Sequence, residues 1–142
     1  MIPRVADDQT ADLGELLMRA ARSQRGRWRD VLAPWDLSPH QGRALGVVCR
    51  GGEVRISALA EGLRIAPRSA TEVVDGLEQR GLVERAPDPA DRRAVIVRPT
   101  PAGERVRSEI DAARAADSRA YFEQLPAEDR AALARILRSL VD

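Results

Sequence analysis

Hydrophobic residues follow a helical period over much of the chain, and the first such stretch is the longest. Between residues 10 and 33 they recur every three to four positions, while arginine, aspartate and glutamine fill the opposite face, which predicts a long amphipathic helix. Pro34 ends this stretch. Ser38, Pro39 and Gln41 then form a capping-box pattern with proline at the first helical position, which predicts a second helix running to the next pair of glycines.

The middle of the chain alternates short helical patterns with residues that break helices. Residues 56–63 predict a third helix, and Val54 just before it is a candidate for a very short strand. Pro67 stands at the first position of a fourth helix, which Gly81 closes. The fourth helix has apolar side chains at i, i+3, i+4 and i+7, namely Ala70, Val73, Val74 and Leu77.

The last third of the chain predicts a hairpin followed by two helices. Residues 82–86 and 94–98 are short hydrophobic runs separated by a charged segment, which indicates two strands joined by a long, charged tip. Thr100 and Pro101 begin a fifth helix, and a sixth follows Pro126. The sixth helix has an apolar stripe too large for a small domain to cover. Its members are Leu133, Ile136, Leu137, Leu140 and Val141.

Composition narrows the classes of function. A chain of 142 residues is expected to form one domain spanning residues 1–142. The net charge is +1, and between residues 51 and 98 eight arginines are balanced by eight acidic residues, so bulk charge does not indicate nucleic-acid binding. The apolar runs are short and the start lacks a signal-peptide pattern, which favours a cytoplasmic protein without membrane insertion. With one cysteine and one histidine, we expect no internal disulfide, metal or other cofactor.

The order of these elements and a series of motifs between residues 59 and 103 resemble the multiple antibiotic resistance regulator (MarR) family. The motifs are Leu59-Ala60-Glu61 followed by Leu63, Asp75-Gly76-Leu77-Glu78, Gly81-Leu82-Val83-Glu84-Arg85, Asp88-Pro89-Ala90-Asp91-Arg92-Arg93 and Thr100-Pro101-Ala102-Gly103. The chain departs from the family pattern in three places. Arg64 occupies a turn position where the family often has glycine. Ala66 precedes the fourth helix, the recognition helix of the family's helix-turn-helix, where the family usually has a polar N-cap. Pro99 occupies a position where the family has leucine.

The resemblance implies a mainly α fold with a small β-hairpin wing. A winged helix-turn-helix lobe would occupy about residues 38–100, with dimerisation helices at about residues 1–36 and 101–142. The implied function is that of a bacterial transcription regulator, in most of the family a repressor, that binds double-stranded DNA as a homodimer. Its operator would be a pseudo-palindrome with half-sites about 34 Å apart.

In a helix-turn-helix, the N-terminal residues of the second helix reach base edges in the major groove. The positions off the apolar stripe on the first turns of the fourth helix are Arg68, Ser69, Thr71 and Glu72. We expect Arg68 to contact guanine in a bidentate manner, and Ser69 and Thr71 to contact phosphate or bases. Glu72 would accept a hydrogen bond from cytosine or shape the local field. Alternatively, these residues are the solvated face of an amphipathic helix.

The resemblance assigns the hairpin tip to the minor groove. Arg93 would be the arginine that enters the groove, and Asp91 would hold it through a charge-assisted pair. Arg92 is expected to meet phosphate. Arg85 either braces Asp88 or Asp91, or is simply exposed. The alternative for the whole segment is a solvated, charged loop.

Many members of the family bind small aromatic or phenolic molecules between the dimerisation helices and the DNA-binding lobe. Trp28, Trp35, His40 and Arg43 are candidates to line such a pocket, although the tryptophans could instead pack in the core or a dimer interface. Cys49 lies among apolar residues of the second helix and is expected to be a buried, inert thiol rather than a redox sensor.

Two other classes of function compete with a DNA-binding regulator. An enzyme would need a nucleophile with its base or paired carboxylates in a cleft, and the chain offers little from which to build either. A winged-helix adaptor for protein interaction or dimerisation, without specific DNA binding, is the stronger rival. Arg68, Asp91 and Arg93 favour the regulator, because an adaptor has no use for them.

Overall fold

The computed structural model describes residues 5–142, with side chains from Asp12 onward. Six α-helices and three strands follow the order expected from the sequence, and a single 3-10 turn, Ala33–Trp35, follows the first helix. They are α1 (Val5–Leu32), α2 (Pro39–Gly51), β1 (Val54–Arg55), α3 (Ile56–Leu63), α4 (Pro67–Gln79), β2 (Val83–Asp88), β3 (Asp91–Pro99), α5 (Pro101–Phe122) and α6 (Ala127–Val141). The strands form an antiparallel sheet in the order β1-β3-β2, so the fold is the predicted helical one with a small β wing.

Local caps set the starts of α2 and α5, as the sequence predicts. The Ser38 hydroxyl accepts a hydrogen bond from the Gln41 backbone N–H at 3.2 Å, and the Gln41 side chain accepts one from the Ser38 N–H at 2.9 Å. At α5 the Thr100 hydroxyl accepts from the Gly103 N–H at 3.0 Å and donates to the Gly81 carbonyl at 2.6 Å. These bonds satisfy backbone groups that a helix start leaves unpaired.

The core lies where α1, α2, α3, α4, the sheet and α5 meet. Its largest side chains are completely or almost completely shielded from solvent. They are Leu32, Leu45, Leu59, Leu77, Ile110, Val48, Val74, Val83 and Val97. Because α4 contributes to this core from one side only, its opposite side remains free.

The prediction of a long, charged hairpin tip is wrong. Strands β2 and β3 run to Asp88 and from Asp91, so that only Pro89 and Ala90 connect them. The hydrophobic pattern underestimates the length of both strands, because backbone hydrogen bonds can pair residues whose side chains are all solvated. The Asp88 carboxylate also accepts from the Ala90 N–H at 2.9 Å, which stabilises the turn locally.

Two left-handed backbone positions shape the helix-turn-helix. Arg64 ends α3 with φ of 55°, at the position where the family often has glycine, and Gly81 follows α4 with φ of 70°. Ala66 precedes α4 without any side-chain cap. The departures from the family pattern therefore change local chemistry and leave the path of the chain intact. None of the helices in residues 5–142 combines the length and apolar character that crossing a membrane requires.

Gly103 provides a test of how α5 meets the sheet. A β-carbon at this buried position would overlap the backbone carbonyl group of Leu82. We therefore expect Gly103→Ala to lower the free energy of unfolding by about 1–3 kcal/mol in chemical denaturation, as overpacking does. Gly62→Ala is the matched control, because Gly62 lies on a helix with open space around it. That change is expected to raise stability by about 0.5–1 kcal/mol. Equal effects of the two substitutions would contradict the packing described for α5.

Candidate nucleic-acid interface and adjoining pockets

Helix α4 has one buried face and one outward face. Ala70, Val74 and Leu77 are fully buried, and Arg68 and Glu72 lie on the opposite side, one turn apart and exposed. Thr71 is also exposed, at the flank of this outward face. The predicted groove-side positions of these three residues therefore agree with the direction in which the helix presents them.

Ser69 is placed differently from its neighbours. It is half-buried and turns towards α2, where it lines a crevice of about 340 Å³ together with Glu72, His40 and the cap residues Ser38 and Gln41. Glu72 thus borders both the outward face and this crevice.

The Thr71 hydroxyl already has a partner. It donates a hydrogen bond to the Pro67 carbonyl, at 3.1 Å, within α4 itself. A hydroxyl has a single hydrogen to donate and a phosphate oxygen can only accept, so the phosphate contact expected of Thr71 requires this hydrogen bond to break.

Arg85 does not brace the hairpin tip, contrary to the sequence-based expectation. Its guanidinium pairs with Asp75 and, at 2.9 Å, with Glu78, both on α4. Its backbone N–H also donates to Glu78 at 3.1 Å. The reason is the alternation of β2, since Arg85 lies on the same strand face as buried Val83 and so points towards the helix rather than along the hairpin. Arg85 therefore joins the wing to the recognition helix.

Asp75 and Glu78 are the residues of this surface that the sequence analysis missed. Both are exposed on α4, where they would place two uncompensated negative charges beside the outward face. Their i, i+3 spacing, together with an arginine on the inward face of the next strand, was the available signal. Because Arg85 offsets one of these two charges, the outward face carries less negative charge than its composition indicates.

Asp88 has a partner other than the predicted one, and Asp91 contacts its predicted partner Arg93 through the backbone instead of the guanidinium. Asp88 pairs with Arg55 of β1 at 2.7 Å, and the Ala90 N–H, followed by the Arg55 guanidinium, lowers the pKa of the Asp88 carboxyl. Asp91 accepts from the backbone N–H of Arg93 at 3.0 Å, rather than from its guanidinium. Asp91 thus holds the chain at Arg93 and leaves the charged group of that arginine unrestrained.

Arg92 and Arg93 stand exposed at the start of β3. Within the described residues, neither guanidinium forms an ion pair, and the same is true of Arg68 on α4. These three arginines are therefore available to an external anion, as is the exposed Arg64 between α3 and α4, while Arg55 and Arg85 are occupied in holding the wing.

Three of the four predicted pocket residues meet in one place. Trp28, His40 and Arg43 line a pocket of about 410 Å³ between α1 and the start of α2, together with Pro39, Arg25 and Arg29. The sequence analysis missed Arg25, although it lies three residues before Trp28 and hence on the same helix face. The pocket has an aromatic wall, several basic groups and no acidic residue in its lining.

Trp35 lies outside this pocket. It packs against the core, and its indole N–H donates to Glu109 of α5 at 3.1 Å. Its prediction as a pocket residue is wrong because the turn after α1 directs it towards α5. Trp28 also contacts Arg114 of α5, whose guanidinium lies 4.7 Å from the ring centre.

Cys49 is half-buried on α2, against the core. Burial raises the pKa of its thiol, with the positive charge of Arg107 opposing this shift only in part. A raised pKa leaves less thiolate at neutral pH, and thiolate is the reactive form. In residues 12–142, no group of three or more histidine, cysteine or acidic side chains is arranged to hold a metal ion.

The sequence of this chain is similar to those of known transcription regulators. The model of the MarR family matches residues 35–94. An HTH-type transcriptional regulator of Mycobacterium bovis is 35% identical over 132 residues, which cover 93% of this chain and 87% of that protein. The HTH-type transcriptional repressor MdtR of Bacillus subtilis is 29% identical, over 95% of this chain and 87% of that protein.

A solved structure of a mutant MarR from E. coli complexed with operator DNA superposes with a TM-score of 0.77. The alignment covers 96% of this chain and 99% of that one, at 22% identity, and so shows a shared fold. The family match and the Mycobacterium relative add sequence to the same conclusion. The chain belongs to the MarR family of winged helix-turn-helix transcription regulators.

Proposed function

We propose that this protein is a repressor that binds double-stranded DNA sequence-specifically, as a homodimer on a pseudo-palindromic operator, and that a small aromatic or phenolic ligand releases it. The observation that carries the DNA-binding part is the set of free arginines, Arg68 on the outward face of α4 and Arg92 and Arg93 on the wing. The other arginines of the wing are held in ion pairs.

The free arginines suit two kinds of contact. Arg68 lies on the first turn of α4, where a recognition helix meets base edges, and its planar guanidinium matches guanine. Glu72, one turn further, would accept from cytosine, while Ser69 and Thr71 would make adaptable contacts once the Thr71 hydroxyl is released. Arg93 would enter the minor groove and Arg92 would meet phosphate.

The net charge of the chain is close to zero, which limits its general electrostatic attraction to DNA. With a net charge of +1, general attraction to DNA is weak, so that binding depends on the few placed arginines. The logarithm of the binding constant is therefore expected to fall linearly with the logarithm of salt concentration, with a slope set by the number of phosphates contacted.

The homodimer is supported by apolar surface that one chain leaves uncovered. Leu13 is 64% exposed on α1, and Leu140 and Val141 on α6 are 68% and 78% exposed. Helix α6 packs only slightly against any other single element of its own chain. An apolar cavity of about 390 Å³ opens between α1, the end of α5 and α6. A second copy would cover this surface, since exposed apolar patches of this kind mark interfaces.

This proposal divides the chain into two functional parts within one domain, residues 1–142. The DNA-binding lobe spans about residues 38–100, and the dimerisation helices span about residues 1–36 and 101–142; residues 1–4 of the first part lie outside the described range. Repression is supported by the relative MdtR, which is named a repressor. A protein acting on chromosomal DNA in a bacterium works in the cytoplasm.

The ligand part of the proposal rests on the pocket beside Trp28. An aromatic ring would stack on the indole, and an acidic or phenolate group would pair with Arg43 or its basic neighbours. The pocket lies between α1 and α2, so a ligand there would favour one position of the DNA-binding lobe over another. Release from DNA follows if the favoured position fits successive grooves less well.

Fluorescence anisotropy tests the DNA-binding part. We expect purified protein to bind the DNA upstream of its own coding sequence more tightly than scrambled DNA of equal length. Arg93→Ala and Arg68→Ala are each expected to weaken this binding about tenfold, the loss typical of one placed arginine. Arg105→Ala removes an exposed arginine of α5 that forms no ion pair among the described residues, and should leave affinity unchanged. Equal, weak binding to both DNAs, insensitive to either substitution, would favour the adaptor function instead.

Intrinsic fluorescence tests the ligand part. In a Trp35→Phe background Trp28 is the only tryptophan, and we expect titration with phenolic carboxylates to change its emission in a saturable way. Arg43→Ala should weaken the best of these ligands about tenfold, through loss of a charge-assisted hydrogen bond. Arg50→Ala, also exposed on α2 but outside the pocket, serves as control. Absence of saturation, or equal loss in both variants, would refute a ligand site here.

A further inference from the structure

The turn that joins α1 to α2 is held from two sides by two consecutive residues. The Trp35 indole N–H donates to Glu109 of α5, at 3.1 Å. Asp36 follows in the left-handed conformation, with φ of 53°, and its own N–H donates to the Ala33 carbonyl at 3.0 Å. The carbonyl of Asp36 accepts from Arg80, which follows the last residue of α4, at 2.9 Å. One short turn thus contacts both α5 and the end of the recognition helix.

Arg80 spans the gap between this turn and α4. One guanidinium nitrogen donates to the Gly76 carbonyl in the last turn of α4, at 3.2 Å, and the other reaches Asp36. The carboxylate of Asp36 is 97% exposed, so the ion pair with Arg80 is weak. The backbone carbonyl is the firmer anchor, because the turn itself fixes its direction.

Helix α4 also reaches α5 by other routes, since both helices pack on α2 and the Thr100 hydroxyl at the start of α5 donates to the carbonyl of Gly81, two residues after α4 ends. The recognition helix packs mainly on α2, α3 and β2, whereas α5 packs mainly on α1, α2 and β3. The hydrogen bonds of Trp35 with Glu109 and of Arg80 with Asp36, two neighbouring residues of one turn, add a polar connection between the middle of α5 and the C-terminal end of α4, away from the Thr100 contact at the start of α5.

A second contact lies beside the hydrogen bonds of Arg80, at the C-terminal end of α4. Gln41, which caps α2, lies with its side-chain amide against Gly76, in space that a β-carbon there would fill. Arg80 and Gln41 thus meet the last turns of α4 at neighbouring points, and together they oppose rotation of the helix about its axis.

We propose that Arg80 is a positioning residue, which fixes the orientation of α4 relative to α5 through the carbonyl of Asp36. The effect of this orientation on DNA binding rests on the proposed function. If α5 belongs to the dimer interface, the angle between α5 and α4 sets where each recognition helix lies relative to its two-fold mate. Arg80 then contributes to discrimination between DNA sequences without touching a base.

Double electron–electron resonance, which measures the distance between two spin labels, tests the positioning of α4 directly. Spin labels at Glu72→Cys on α4 and Ser108→Cys on α5, both exposed positions, in a Cys49→Ser background, report the distance between the two helices. Labelled chains are diluted in unlabelled protein so that each pair lies within one chain. We expect Arg80→Gln to broaden the distance distribution at least twofold, while Arg105→Gln, which removes the same charge elsewhere, leaves it unchanged.

Asp36→Asn separates the two contacts of Arg80. Asparagine also tolerates the left-handed conformation and keeps the backbone carbonyl, so the distribution is expected to stay narrow. Thermal unfolding should place all variants within a few degrees of the parent, which separates positioning from folding. An unchanged distribution in Arg80→Gln would overturn the proposal, as would equal broadening in Arg105→Gln.

Unlabelled Arg80→Gln, Arg105→Gln and Asp36→Asn proteins, which keep Glu72, Ser108 and Cys49, are then titrated with the upstream DNA and with scrambled DNA. We expect Arg80→Gln to lower the ratio of the two affinities at least threefold while leaving affinity for scrambled DNA within twofold. A ratio unchanged in Arg80→Gln, despite a broadened distribution, would overturn the role at DNA. If the parent protein itself does not discriminate, the proposed function fails, whereas the distance measurement still decides whether Arg80 positions α4.

Discussion

Burial of one face of α4 is the constraint on which the candidate interface depends. Ala70, Val74 and Leu77 are completely enclosed by the core, which fixes the rotation of the helix about its axis. That rotation alone determines that Arg68 and Glu72 face outward and that Ser69 turns towards α2. A single polar or oversized substitution on the buried face would therefore disturb every contact of the outward face at once.

Ion pairing divides the arginines of the lobe into two sets. Arg55 and Arg85 compensate acidic residues and join β1, the wing and α4 into one unit. Arg68, Arg92 and Arg93 form no ion pair among the described residues, and neither do Arg43, Arg50 and Arg64 of the same lobe. In a chain with nearly balanced charge, this division determines where an anion can bind, since paired arginines offer little attraction beyond their own partners. It also explains why composition alone gave no indication of nucleic-acid binding.

Features determined by neighbouring residues could be predicted from the sequence. The caps at Ser38 and Thr100, the starts of α2 to α6 and the apolar stripe of α4 depend on short-range geometry, and the structure confirms them. Partners chosen across the fold could not be predicted. Arg85 has several acidic residues within reach, and only the packing of β2 on α4 selects Asp75 and Glu78. The placement of Trp35 could not be predicted for the same reason, because its partner Glu109 lies on α5, far from it in the sequence.

In the proposed function, two copies of this chain, joined through the apolar surface of α1 and α6, read one DNA site. Sedimentation velocity tests this most directly, with the parent protein and Leu140→Glu, each alone and with the upstream DNA. Ala131→Glu, at an exposed position on the opposite side of α6, is the control. The parent and control are expected to sediment at twice the chain mass of 15.6 kDa and to bind DNA as two chains. Leu140→Glu is expected to remain folded, sediment as a single chain and lose preference for the upstream DNA. A parent protein that discriminates between DNAs as a single chain, or a Leu140→Glu variant that behaves as the parent does, would contradict the account.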